Sequence, residues 1–172
     1  LYNAVTLQII LENYPVRSIR DIRSQTLDPR GLIGPWRTPR VSAESRRLSL
    51  DQIENSILRR DFNEPRIHYA INCASIGCPN LAARAWRAET MHADLTAAAR
   101  AYINHPRGVS IDSRGRVRVS TIYRWFAADF GGDAAGVLTH LRRFASPELQ
   151  ARLARATTIS NYNYDWALNG SN

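Results

Sequence analysis

His68-Tyr69-Ala70-Ile71-Asn72-Cys73-Ala74-Ser75-Ile76-Gly77-Cys78-Pro79 is the most unusual stretch of the chain. Ile67 to Asn72, entered from Pro65, has the length and composition of a buried strand. It gives way to a Gly/Pro turn that holds both cysteines of the chain, separated by four residues. Upstream, Ser49-Leu50-Asp51-Gln52 has the form of a capping box and predicts a helix to about Arg60. Downstream, Ala88 to Asn104 is Ala-rich and helical, and Pro106 ends it.

Further out, Leu1 to Asn13 carries apolar residues at helical spacing and is stopped by Pro15. Ser18 to Asp21 reads as a short capped turn, Gln25 to Arg40 as a loop, and Val41 to Leu48 as a hairpin around Ala43-Glu44-Ser45. Val109-Ser110-Ile111 and Val117 to Ser120 flank Asp112-Ser113-Arg114-Gly115, the signature of a second hairpin. Thr121 to Phe130 predicts a short helix stopped by Gly131-Gly132. Two more helices follow, Ala134 to Phe144 and Pro147 to Ala156, the latter with Ser146 as N-cap and proline at its first position. Thr157 to Tyr162 predicts a last strand. Helices outnumber short strands in irregular order, which reads as α+β rather than a doubly wound sheet. The expected architecture is one compact domain over residues 1–172, with helices packed on a small, mainly antiparallel sheet.

Composition narrows the function. With 172 residues, 44% of them hydrophobic, the chain is long enough for a proper core. No apolar run reaches the roughly 20 residues of a membrane-spanning helix. The chain opens with Leu1, inside a helical pattern, which suggests the core of a longer protein with a portion upstream. The net charge is +8 and all 23 basic residues are Arg. Without Lys, a phosphate-loop nucleotide site, a Schiff-base enzyme and a standard kinase are excluded. Arg forks favour carboxylate or phosphate partners. They are spread along the chain rather than gathered on one helix, so specific nucleic-acid recognition is not expected.

The cysteine spacing is not a thioredoxin-like C-x-x-C, and without a nearby His pair it makes no zinc site. No metal or cofactor is expected. Three readings remain open for Cys73 and Cys78. Cys73 is a nucleophile held as thiolate by free N–H groups of the turn from Ala74 to Gly77; or the two cysteines form a disulfide in an oxidising compartment; or both are small buried hydrophobes.

Several strings carry a resemblance. They are Leu1-Tyr2-Asn3-Ala4, Leu50-x-x-Ile53-Glu54-x-x-Ile57-Leu58-Arg59, His68-x-Ala70-x-x-Cys73-Ala74-Ser75-x-Gly77-Cys78-Pro79, Ser120-x-Ile122-Tyr123-Arg124-Trp125-Phe126-x-x-Asp129-Phe130, and Tyr164-Asp165-Trp166. In order and spacing the chain resembles a bacterial member of the domain of unknown function 547 family. Plant members keep the first cysteine and tend to carry Ser at the second, which implies that Cys73 is the functional thiol. Asn55 stands where relatives often have His, and Arg124 where Lys is common.

The resemblance implies a thiol-dependent enzyme, close in logic to cysteine peptidases and transglutaminases. Cys73 attacks an acyl or sulfur centre, His68 moves its proton and Glu54 orients His68. Each has a plainer reading: His68 as a core histidine, Glu54 as an ordinary helix carboxylate pairing with Arg59. One geometric objection stands, because a regular strand would put His68 and Cys73 on opposite faces. Asn3, Ser75, Cys78, Arg59 and Arg124 are the expected ligand contacts. His92, His105 and His140 read as surface residues, and Asp129, Asp165 and Trp166 as structural. The Arg excess and the sulfur chemistry suggest a small anionic peptide or thiol such as glutathione. The rival is a module that binds such a ligand, or a partner protein, without turnover. The expected location is periplasmic or otherwise exported, with the cytoplasm as the alternative; no oligomeric state is indicated.

Overall fold

A computed structural model describes residues 1–23, 34–43 and 45–170. The predicted loop from Gln25 to Arg40 lies partly outside these residues, as does Glu44 of the first hairpin. The chain packs as two compact units, each with its own apolar core.

The first unit takes Leu1–Glu64, Ile71–Cys78 and Asp165–Asn172. Helix α1 (Tyr2–Glu12) buries Tyr2, Val5, Ile9 and Ile10, a stripe at helical spacing. It ends where the Asn13 side chain donates to the Ile9 carbonyl at 2.8 Å, two residues before Pro15. Strands β1 (Val41–Ala43) and β2 (Arg46–Leu48) pair antiparallel, with Val41 opposite Leu48. The capping box forms as its sequence predicts: Gln52 N–H donates to Ser49 Oγ at 3.2 Å and Ser49 N–H to Gln52 Oε1 at 2.9 Å.

The helix beyond this cap is wound with i→i+5 bonds over Gln52–Arg59 before one α-turn, α2 (Arg60–Phe62). Asn63 stops it in the left-handed region, at φ +44°. Ile9, Ile19 and Leu50 are each 1% exposed at the centre of this core. Burial of such a side chain stabilises by about 1.5–3 kcal/mol.

The second unit takes Pro65–Ala70 and Pro79–Tyr164. Its first piece corrects the sequence reading: Pro65–Tyr69 is a 3-10 helix, not a strand. Pro65 supplies the fixed φ that suits a helical start, and Ala70 N–H closes the turn on the Ile67 carbonyl at 2.9 Å. Arg66, Ile67, His68 and Tyr69 are all buried. An element buried on every side shows no periodicity, so its apolar run reads like a buried strand.

Helix α3 (Met91–Ile103) follows a 3-10 turn at Ala88–Thr90. Strands β3 (Val109–Ile111) and β4 (Val117–Ser120) form the predicted hairpin. Asp112 secures its turn by accepting from the N–H groups of Arg114 and Arg116. The predicted single helix from Thr121 is broken at Phe126 into α4 (Ile122–Trp125) and a 3-10 turn, Ala127–Phe130. Gly131, at φ +99°, then ends it.

Helix α5 (Ala134–Phe144) starts on an Asp133 side-chain cap, and α6 (Pro147–Leu153) on a Ser146 cap. Strand β5 is shorter and later than predicted, Asn161–Asn163, and lies parallel to β4. It begins after Ser160, whose N–H and hydroxyl both donate to the Val117 carbonyl. The core of this unit centres on Tyr69, Ala99, Ile103, Tyr123, Leu141 and Leu153. Helices with one antiparallel hairpin and one mixed three-stranded sheet, in which β3 runs antiparallel and β5 parallel to β4, make the fold α+β, as the order of elements predicts. Among the described residues, no helix is long and apolar enough to cross a membrane.

Candidate functional site

The turn after Asn72 sits in the first unit and is fastened on two sides. On one side, Asn3 Oδ1 of α1 accepts from Asn72 N–H at 2.8 Å. Asn72 Oδ1 accepts in turn from Ala74 N–H at 2.6 Å, an Asx turn that holds Ala74 at φ +62°. On the other side runs the chain's C-terminal segment. Ile76 N–H donates to the Ala167 carbonyl at 2.8 Å, Gly77 N–H to Asp165 at 2.9 Å, and Asn169 N–H to Ala74 at 2.8 Å.

These bonds correct one expectation. The N–H groups of Ala74, Ile76 and Gly77 are taken by oxygens, so they form no open nest for a thiolate. The polar contacts on sulfur come from elsewhere. Cys73 Sγ lies 2.7 Å from Cys78 Sγ and 3.2 Å from Ser75 Oγ. Cys78 Sγ also accepts from Cys73 N–H at 3.0 Å and from Ser75 Oγ at 3.5 Å. No disulfide joins the two sulfurs; Cys73 is partly exposed and Cys78 is 3% exposed. Two sulfur anions at this separation would repel, so at least one of the two sulfurs keeps its proton.

Glu54 belongs to the same unit. It is half-buried on the wide helix, and its carboxylate accepts from Tyr2 Oη at 3.3 Å. Burial raises its pKa to about 7, opposed by the Tyr2 hydrogen bond and the Arg59 charge. Burial, then the neighbouring Glu54, Cys73 and Cys78, pushes the Tyr2 hydroxyl well above the usual phenol range. The i→i+5 winding sets Arg59 near Glu54, while its guanidinium donates to Asn55 Oδ1 at 2.8 Å. Tyr2 was not singled out from the sequence, although it stands in the same string as Asn3.

His68 and Arg124 belong to the second unit. His68 is 3% exposed and stacks on Phe126, with ring centroids 4.0 Å apart. Its Nε2 lies 2.7 Å from Asp129 Oδ2. With the carboxylate ionised, Nε2 is the donor of this bond. The carboxylate on Nε2 of His68 is thus Asp129, a residue whose sequence context suggests a structural role. Its position in the 120–130 string was the available signal; the partner 61 residues away was not. Helix α4 places Arg124 on the surface, its guanidinium 5.8 Å from the centre of the Tyr162 ring.

A second histidine also departs from expectation. His140 is partly buried, bonds the Tyr69 hydroxyl at 2.8 Å and packs on Tyr69, Phe130 and Phe144.

Residues 1–103 match the family described as "Protein of unknown function, DUF547". The chain belongs to this family. The matched part of the DUF547 chain contains Tyr2, Asn3, Glu54, Arg59, His68, Ser75 and both cysteines; Arg124 and Asp129 lie beyond it. No curated protein and no solved structure matches this DUF547 chain.

Proposed function

We propose that this DUF547 protein is a thiol-dependent enzyme in which Cys73 attacks an acyl or sulfur centre. The observation that carries the reading is the placement of the sulfur of Cys73, a partly exposed residue, against a second thiol at 2.7 Å and a hydroxyl at 3.2 Å. The Ser75 hydroxyl and the Cys78 thiol can each donate to Cys73 Sγ, and donation to that sulfur favours the thiolate, the nucleophilic form. The turn is held rigidly from both sides, which keeps the nucleophile in place before substrate arrives.

His68 acts as the proton acceptor in this reading, an assignment that rests on the sequence and the family pattern. Asp129 supports it by holding the ring in one tautomer. Asn3 acts through Asn72 on the shape of the turn, and Glu54 through Tyr2. The substrate class follows from charge: with 23 Arg and a net charge of +8, a small anionic peptide or thiol of the glutathione kind is favoured. An exported location accompanies this reading, as expected from the family resemblance.

The test is mass spectrometry after a brief, limiting dose of iodoacetamide, repeated across pH and with glutathione present. Selective labelling of Cys73 well below pH 8.5, the approximate value for an ordinary thiol, with protection by glutathione, is the expected result. An unreactive Cys73 in the reduced protein, or thiol and amide activities untouched by Cys73→Ala, would overturn it in favour of binding without turnover.

A further inference from the structure

The sulfur of Cys78 occupies a position that a single-thiol mechanism does not use. It is 3% exposed, 2.7 Å from Cys73 Sγ, and held there by the N–H of Cys73 itself. Cys78 N–H in turn donates to the Ser75 carbonyl at 3.0 Å, and Gly77 N–H is tied to Asp165. The second thiol is therefore on the buried residue of the pair, and Cys73 is the partly exposed one.

We infer that Cys78 is a resolving thiol, and that Cys73 and Cys78 together reduce a small disulfide by thiol–disulfide exchange. This rests on Cys73 being the reactive thiol proposed above. In the first step the Cys73 thiolate attacks one sulfur of the substrate disulfide. A Cys73–substrate disulfide forms, the substrate S–S bond breaks, and one thiolate leaves. In the second step Cys78 sulfur attacks Cys73 Sγ, forming the Cys73–Cys78 bond and releasing the second substrate thiolate. Both thiol protons of the protein end on the two released thiols. The protein loses two electrons and the substrate disulfide gains them, so no further oxidant is needed.

The surroundings fit each requirement of the second step. The attacking sulfur is within contact distance of the sulfur it must reach. The Ser75 hydroxyl stands 3.2 Å from one sulfur and 3.5 Å from the other, so it can donate to whichever carries the charge. With only four residues between the cysteines, the closed ring is small, and its chain-entropy stabilisation is correspondingly modest. A couple of that kind is suited to cycling rather than to permanent cross-linking.

The experiment uses the reduced full chain and its Cys78→Ala variant, each mixed with glutathione disulfide, quenched in acid and read by intact mass and peptide mapping. Wild type is expected to end two hydrogen atoms lighter, with a Cys73–Cys78 disulfide and two glutathione molecules released. The variant is expected to stop as a stable Cys73–glutathione adduct. A wild-type chain that itself stops at the glutathione adduct overturns the inference and leaves the reactive Cys73 standing. Wild type left unmodified removes the reactive thiol and this inference with it. Because the wild-type end state decides the matter, a misfolded variant does not blunt the test.

Discussion

Nε2 of His68 meets the carboxylate of Asp129 at 2.7 Å across 61 residues of chain, with the imidazole sealed against Phe126. The ring is 3% exposed, so its N–H has no water to fall back on. Asp129→Ala should lower stability by about 1–3 kcal/mol, the range for a buried donor left without a partner. Asp129→Asn keeps an acceptor oxygen and should lose less. Urea unfolding of both variants checks this; equal losses would show that the bond contributes nothing.

Glu54 makes stability depend on pH, in the direction opposite to an ordinary surface carboxylate. Its folded pKa is raised from 4.5 to about 7, so between those values the folded chain holds a proton that the unfolded chain has released. Stability therefore falls as pH rises through this window and levels off above it. The full effect is at most about 3 kcal/mol. Glu54→Gln keeps an acceptor for Tyr2 and should remove the slope. Unfolding midpoints of the two proteins from pH 4.5 to 8 provide the comparison, and parallel curves would refute the assignment.

Asn3 reaches the turn through the backbone N–H of Asn72. Asn3→Ala removes the acceptor of Asn72 N–H, a loss of about 1 kcal/mol. Hydrogen exchange at the Asn72 amide should accelerate, and Cys73 should label with altered pH dependence because the turn is less well held. An unchanged exchange rate would mean that water replaces Asn3 without loss.

Ala74 is the non-glycine residue next to Cys73 with φ at +62°. A left-handed Cβ costs roughly 1–2 kcal/mol, partly offset by the extra freedom of glycine in the unfolded chain. Ala74→Gly is thus expected to be neutral or stabilising by up to about 1 kcal/mol, and Ala74→Val destabilising. Denaturant titration reads both; a destabilised Gly variant would show that the Asx turn carries no strain at this residue.

Gly136 and Gly131 touch backbone to backbone. A Cβ at Gly136 would come within 2.6 Å of the Gly131 Cα, where no flexible side chain can yield. Gly136→Ala should destabilise the second unit by about 1–3 kcal/mol, the usual range for overpacking. Melting of the purified variant at the wild-type temperature would contradict this.

Much of the fold was legible because it depends on neighbours in sequence. Ser49 and Gln52 cap a helix three residues apart, Asp112 fastens its own hairpin, and Ser146-Pro147 starts α6. The expected strand at Ile67–Asn72 failed for an equally local reason: a short apolar run buried on all sides looks the same whether extended or coiled into a 3-10 helix. The objection that alternation along a strand would separate His68 from Cys73 therefore has no strand to act on. The cysteines were legible as a site because their turn is one continuous segment. The purpose of its N–H groups was not, since their acceptors at Asp165 and Ala167 come from the far end of the chain.

Local patterning suffices for the α+β class, most helix starts and stops, the family and the placement of two thiols in one turn. These depend on sterics, caps and hydrogen bonds that act over a few residues. Long-range packing, by contrast, brings Asn3 to Asn72, Tyr2 to Glu54 and Asp129 to His68, at separations of 69, 52 and 61 residues. Such partners are chosen by which buried polar groups the packed cores leave side by side. That choice belongs to the whole chain, because each buried donor must find its acceptor wherever the core has placed one.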